Sequence, residues 1–249
     1  MFSVFKKVAI GLGLASGAFL ASAANYTIGV EQTSYYPIYN VNEKNEYVGF
    51  ARELLDTFAK QNNDTFTYKI YPIPRLWEAF FRSEIDAKFP DNAFWKSKEK
   101  QEKGLNIVYS SPVLQFIEGI MVLPSNKDIG VEQLDSISLT RGFTAFGYLD
   151  LIAAKKVRVQ EANDFVSAAR MAIDGKAKGV YANIAVGNYT LKQLNKEGAL
   201  VYNANLPNST GFYYLSSIKQ PALIEEFNKF LKDNASTVEE LKKKYEVNH

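Results

Sequence analysis

Apolar residues recur along this chain at two spacings in turn, and that alternation sets out a fold before any single residue is weighed. Residues 26–31 have strand character. Residues 49–61 carry apolar side chains at 50, 51, 54, 55, 58 and 59, which is one face of a helix, with Glu53 and Asp56 on its solvated side. A strand at 66–71 follows. Pro74, suited to a first helical turn, then opens a helix whose inward side is Leu76, Trp77, Phe80 and Phe81, and 85–89 reads as the next strand. The order β-α-β-α-β predicts a mainly parallel sheet flanked by helices, with its crevice beyond the carboxyl ends of the strands.

After an apolar run at 116–123 the alternation begins again. Strands are expected at 136–141, 157–160 and 179–181, and helices at 149–154 and 165–173. A further helix carries Ala185, Val186, Tyr189 and Leu194; segments 200–202 and 212–216 look extended; helices close the chain at 221–232 and 237–245. No solenoid repeat and no low-complexity linker separates the halves. Two similar lobes that exchange strands across a hinge are therefore expected, an arrangement suited to closing on a ligand.

The N-terminus changes the picture from a fold to a compartment. Lys6 and Lys7 precede an apolar stretch at 8–20 and then Ala21-Ser22-Ala23, the order of a cleaved signal peptide. A transmembrane anchor is the competing reading, but the run is short for ~30 Å of hydrocarbon. With no cysteine there is no lipid anchor after the leader, and the periplasm is the expected location. The leader holds two of the 29 basic residues and none of the 27 acidic ones, so the mature chain is balanced. A neutral surface argues against nucleic acid or anionic membrane as partner, and the run Lys242-Lys243-Lys244 reads as a solvated helix end.

The missing residue types narrow the chemistry. The sole histidine is His249 and there is no cysteine, so Ser-His-Asp triads, Cys-His pairs and His-rich or thiolate metal sites cannot be built. No dinucleotide, Walker or nucleophile-elbow motif occurs outside the leader. No cofactor, metal or catalytic residue is expected, although carboxylate or lysine catalysis by Glu31, Asp91 or Lys98 stays open.

Three stretches carry a resemblance. They are Ile28-Gly29-Val30-Glu31 with Tyr35-Tyr36-Pro37 and Tyr47-Val48-Gly49-Phe50; Ile85-Asp86-Ala87 with Tyr109-Ser110-Ser111-Pro112; and Asp174-Gly175-Lys176-Ala177-Lys178-Gly179-Val180. In this order and spacing the chain resembles the periplasmic solute-binding proteins for polar amino acids and related solutes, across nearly the whole mature chain. The resemblance implies an α/β, two-lobed periplasmic binding protein fold, each lobe a mainly parallel sheet flanked by helices, joined by two crossover strands near 112–118 and 205–212. After a signal peptide at 1–23, lobe one takes 24–113 and 210–249, and lobe two takes 114–209.

It also implies a ligand held between aromatic side chains and helix-terminal donors, at positions matching Glu31, Tyr35, Tyr36, Pro90, Asp91, Phe143 and Thr144. For each tyrosine the competing reading is core packing. Two family positions differ here. The arginine that grips a carboxylate is matched by the stretch Trp95-Lys96-Ser97-Lys98, where Lys98 supplies charge without a planar fork. The aspartate that pairs with an amino group is matched by Asn183, leaving an ammonium to find its counter-ion at Glu31 or Asp91. Both changes favour a modified amino acid, a peptide-like solute or an organic acid over an ordinary α-amino acid. Arg75, just after Pro74, is a further anion contact or a surface partner of Glu78; Trp77 reads as core, and Trp95 as a pocket wall or core.

The expected role is a monomeric receptor that closes around a small polar solute and hands it to an inner-membrane ABC permease. A sensor that presents its solute to a membrane signalling protein, and a carboxylate-dependent dehydratase on the same fold, are the alternatives.

Overall fold

The computed structural model describes residues 23–248; the predicted leader lies outside them except for its last residue. The chain runs β1 (Asn25–Glu31), β2 (Asn40–Val41), β3 (Tyr47–Val48), α1 (Phe50–Gln61), β4 (Thr65–Tyr71), α2 (Ile73–Phe81), β5 (Ala87–Asp91), α3 (Ser97–Glu102), β6 (Val108–Tyr109) and β7 (Leu114–Val122). It continues through β8 (Ser136–Thr140), α4 (Leu149–Ala153), β9 (Arg158–Ala162), α5 (Phe165–Ile173), β10 (Gly179–Asn183), α6 (Ile184–Gln193), β11 (Val201–Tyr202), β12 (Ser209–Ser217), α7 (Pro221–Asp233) and α8 (Ala235–Lys244).

Two parallel cores are visible in the pairing. β4, β1 and β5 run parallel in one lobe, and β10, β8 and β9 run parallel in the other. The long strands β7 and β12 join them. Ser209 to Tyr213 pair antiparallel with β7, whereas Tyr214 and Ser216 pair with β5, so the ladder is continuous from β4 to β9 through β12. The β12 register slips on β5 between Lys88 and Asp91, a stretch containing Pro90, which has no N–H to give the ladder.

Each parallel sheet is covered on both faces. In the first lobe, α1, α7 and α8 bury Leu54, Phe58, Phe227 and Val238 against one face. The other face takes Leu76, Trp77 and Phe80 of α2 with Ile85. Gly29 lets α2 sit close: a Cβ there would lie 2.2 Å from Ile85 Cδ1 and 2.7 Å from Leu76 Cδ1. In the second lobe, Ile120, Ile137 and Tyr148 form one layer, and Met121, Ala168, Ala169 and Val180 the other.

The longer expected elements fall close to these bounds. The strand expected at 85–89 is displaced to β5 because Ile85 is core beneath Gly29 and Asp86 turns its carboxylate back to the Thr27 N–H at 2.7 Å. The second crossing changes partner at Tyr213 and Tyr214, just past the expected 205–212. α3 has no apolar face to announce it, only Lys100 being buried, and the short β2, β3 and β6 are held by ladder partners rather than by periodicity.

Candidate functional site

The carboxyl ends of both parallel sheets meet at one cavity of about 380 Å³. The segment after β1 supplies Gln32 to Tyr35, and the β4–α2 junction supplies Pro72 to Pro74. From the other lobe come Thr140 to Phe143 after β8, Asn163 and Asp164 after β9, and Tyr181 to Asn183 of β10. Strand ends are where backbone donors and acceptors run out of ladder partners, which makes such a mouth suited to a polar ligand.

Aromatic rings form one wall. Tyr35 and Phe143, from opposite lobes, stack with centroids 5.6 Å apart and planes at 25°. Tyr35 also packs on Tyr39 at 5.2 Å, so this tyrosine belongs to the core of the first lobe as well as lining the cavity. Its hydroxyl donates to Glu118 Oε1 at 3.2 Å, and the Tyr181 hydroxyl donates to Glu118 Oε2 at 3.1 Å. Burial raises the Glu118 carboxyl above its ordinary range; the two phenols oppose that and Glu31 adds to it. Burial likewise pushes the Tyr35 phenol well up.

Polar groups complete the cavity. Asn183 caps α6, its Oδ1 accepting from the N–H groups of Ala185 at 3.0 Å and Val186 at 3.3 Å. These two donors fix which end of the amide is oxygen. The side chain is buried and Nδ2 has no partner within strict hydrogen-bond geometry, but the Tyr213 phenol lies close enough that Asn183 opposes part of the upward push of burial on it. Asp164 caps α5 by accepting the Ser167 N–H at 2.7 Å, and Arg141 pairs with Glu161 at 3.4 Å.

Of the residues expected from sequence, Tyr35, Phe143 and Asn183 stand on this wall. Tyr36 lies in an adjoining groove, against Tyr189 of α6 at 4.5 Å. Arg75 follows Pro74 at the rim, exposed, with no salt bridge among the described residues. Thr144 is exposed beside Phe143 and outside the wall.

The others are engaged elsewhere. Glu31 is buried in the first lobe, where it accepts the Tyr39 hydroxyl at 2.8 Å; burial raises its carboxyl, and Lys88 and Tyr39 offset part of that. Asp91 is wholly buried and accepts from Ser216 Oγ at 2.6 Å and Lys100 Nζ at 3.2 Å, with Lys88 Nζ at 3.7 Å. Trp95 packs on Phe116 and Tyr213, with Lys88 Nζ 5.7 Å from its ring centroid. Lys98 projects into solvent with its side chain 89% exposed, 3.9 Å from Glu102.

Sequence reasoning passed over Glu118, Arg141, Asp164 and Tyr181. Glu118 had a signal: it is the one charge in the apolar stretch 113–123.

Paired parallel sheets, a double crossing and a cavity at the shared strand ends define the two-lobed fold of the periplasmic solute-binding proteins. No family model matches the chain. It is 21% identical over 218 residues to the arginine-binding periplasmic protein of Mannheimia haemolytica, covering 86% of this chain and 87% of that one. Among solved structures it is similar to an ancestral arginine-binding protein bound to arginine, with TM-score 0.66 and 20% identity over 89% of this chain and 97% of the other. An arginine transport system periplasmic binding protein from Legionella pneumophila gives TM-score 0.64 and 15% identity over 90% and 100% of the two chains.

Proposed function

We propose that this chain is a periplasmic solute-binding receptor that holds a small polar, amino-acid-like solute between its lobes and delivers it, unchanged, to an inner-membrane ABC importer. The observation that carries this reading is the cavity itself, because its walls come from the strand ends of both lobes. A solute there touches both halves and favours their closed arrangement by its differential contacts. In this reading lobe one comprises 24–113 and 210–249 and lobe two comprises 114–209, with Tyr35, Phe143 and Asn183 contacting the solute. The likeness to an arginine-binding periplasmic protein supports an amino acid as the class to test first. Among the described residues no helix is long and apolar enough to cross a membrane, which suits a receptor that hands over its cargo from the aqueous side.

Thermal denaturation with a panel of amino acids, short peptides and organic acids tests this. A solute at ~100 times its dissociation constant adds ~2.7 kcal/mol, about 5 to 10 °C for a chain of this size. Mass spectrometry of the recovered solute should show it unaltered. A panel without any stabilising member refutes the receptor reading, and a converted solute replaces it with an enzyme.

A further inference from the structure

Three carboxylates of this protein, Glu31 and Asp91 buried and Glu118 half-buried, are not provided for alike. Asp91 has two ammonium groups, Lys100 at 3.2 Å and Lys88 at 3.7 Å, and Glu31 has Lys88 as a favourable charge. Glu118 forms no salt bridge among the described residues. Its surroundings are the phenols of Tyr35, Tyr181 and Tyr213 and the carboxylate of Glu31, all neutral or negative. A half-buried acid in such company is poorly compensated.

Its position decides what could compensate it. Glu118 is the cross-strand partner of Asn183 on β10, so the two side chains share one face of the sheet as close neighbours. Asn183 is 1% exposed, its Oδ1 is taken by the α6 amides, and the Tyr213 phenol is its neighbour on the Nδ2 side. Asn183 and both hydroxyl partners of Glu118 line the cavity, which places the carboxylate one hydrogen bond behind the wall. Two phenolic hydrogen bonds leave part of its roughly four lone-pair directions unused.

We infer that Glu118 is the counter-ion for a cationic group, ammonium or guanidinium, on the solute in the interlobe cavity. The inference rests on the receptor reading and gives it a substrate class. Tyr35 and Tyr181 hold the carboxylate in place from opposite lobes, and the incoming cation supplies the charge that no side chain provides. Because residue 183 is an uncharged amide, the negative charge sits one strand away, on β7 instead of β10.

The test is calorimetric titration of the full mature chain and of Glu118→Gln with matched probes. These are L-arginine against L-citrulline, and each amino acid of the panel against its α-hydroxy acid. The expected result is a solute that binds the wild-type protein at least tenfold tighter than the analogue lacking one of its cationic groups, with that preference lost in the variant. Gln keeps the size and a hydrogen-bond acceptor for one phenol, so the ligand-free melting point should stay within a few degrees. Equal binding to the wild-type protein, in every pair, of the members with and without the cationic group overturns the inference without any variant. So does a preference that survives Glu118→Gln, or binding confined to solutes without a cation. Absence of any binder overturns the receptor reading as well, and only that outcome does so.

Discussion

Asp91→Asn is the substitution whose cost the structure specifies most fully. The wild-type carboxylate is wholly buried and receives Ser216 Oγ at 2.6 Å, the Asn92 N–H at 2.7 Å and Lys100 Nζ at 3.2 Å. Lys88, whose side chain is 0% exposed, has this carboxylate at 3.7 Å and one hydrogen bond, to the Pro90 carbonyl at 2.5 Å. Asparagine preserves the shape but removes the charge and turns an N–H₂ toward one set of donors. Breaking a buried ion pair from one side costs about 3–5 kcal/mol, because the partner stays buried and uncompensated. For a chain of this length that is a melting point lower by about 6 to 20 °C. Urea unfolding followed by the fluorescence of Trp77 and Trp95, which both face Lys88, measures it. Solute affinity in the folded variant should be unchanged, since Asp91 is not on the cavity wall. Adding Lys88→Met, which removes the ammonium left with only the longer-range charge of Glu31, should return part of the loss. A loss below ~1 kcal/mol, or no recovery in the double variant, refutes the reasoning that Asp91 is what permits Lys88 to be buried.

Three other substitutions probe an exposed lysine, a close helix–strand approach and an acid-sensitive carboxylate. Lys98→Ala should leave solute affinity within about twofold and stability within ~0.5 kcal/mol, since its side chain is 89% exposed; a large loss of binding, by titration, would bring this lysine back into the site. Gly29→Ala should lower the denaturation midpoint by an amount corresponding to ~1–3 kcal/mol, because the new methyl meets Ile85 and Leu76; an unchanged midpoint would mean that α2 shifts freely. Burial raises the Asp86 carboxyl, but the Thr27 N–H, Gln220 and Lys219 outweigh it and hold the group below its ordinary range. Its stabilising contribution is therefore present above pH ~4 and is lost as the pH falls toward the depressed folded value. Asp86→Asn should flatten that part of the acid-unfolding curve, and an identical pH profile would count against the three contacts.

The order of the longer elements, the two-lobed architecture and the region of the cavity were legible in the sequence because they depend on spacing. Apolar residues at 54, 55 and 58 demand a buried helix face, and Pro74 ahead of Leu76, Trp77 and Phe80 marks a helix start. Charge was read less well. Glu31, Asp91, Lys98 and Glu118 look equally available on a string of letters, and local spacing says nothing about partners 83 or 125 residues away, as in Tyr35–Glu118 and Ser216–Asp91. Only the folded chain determines that Lys88 and Lys100 occupy Asp91, that Lys98 faces water, and that Glu118 is left beside Asn183 with phenols alone. Solvation and pairing of a charge are properties of its three-dimensional surroundings, whereas the faces of strands and helices are already fixed by the period of the backbone.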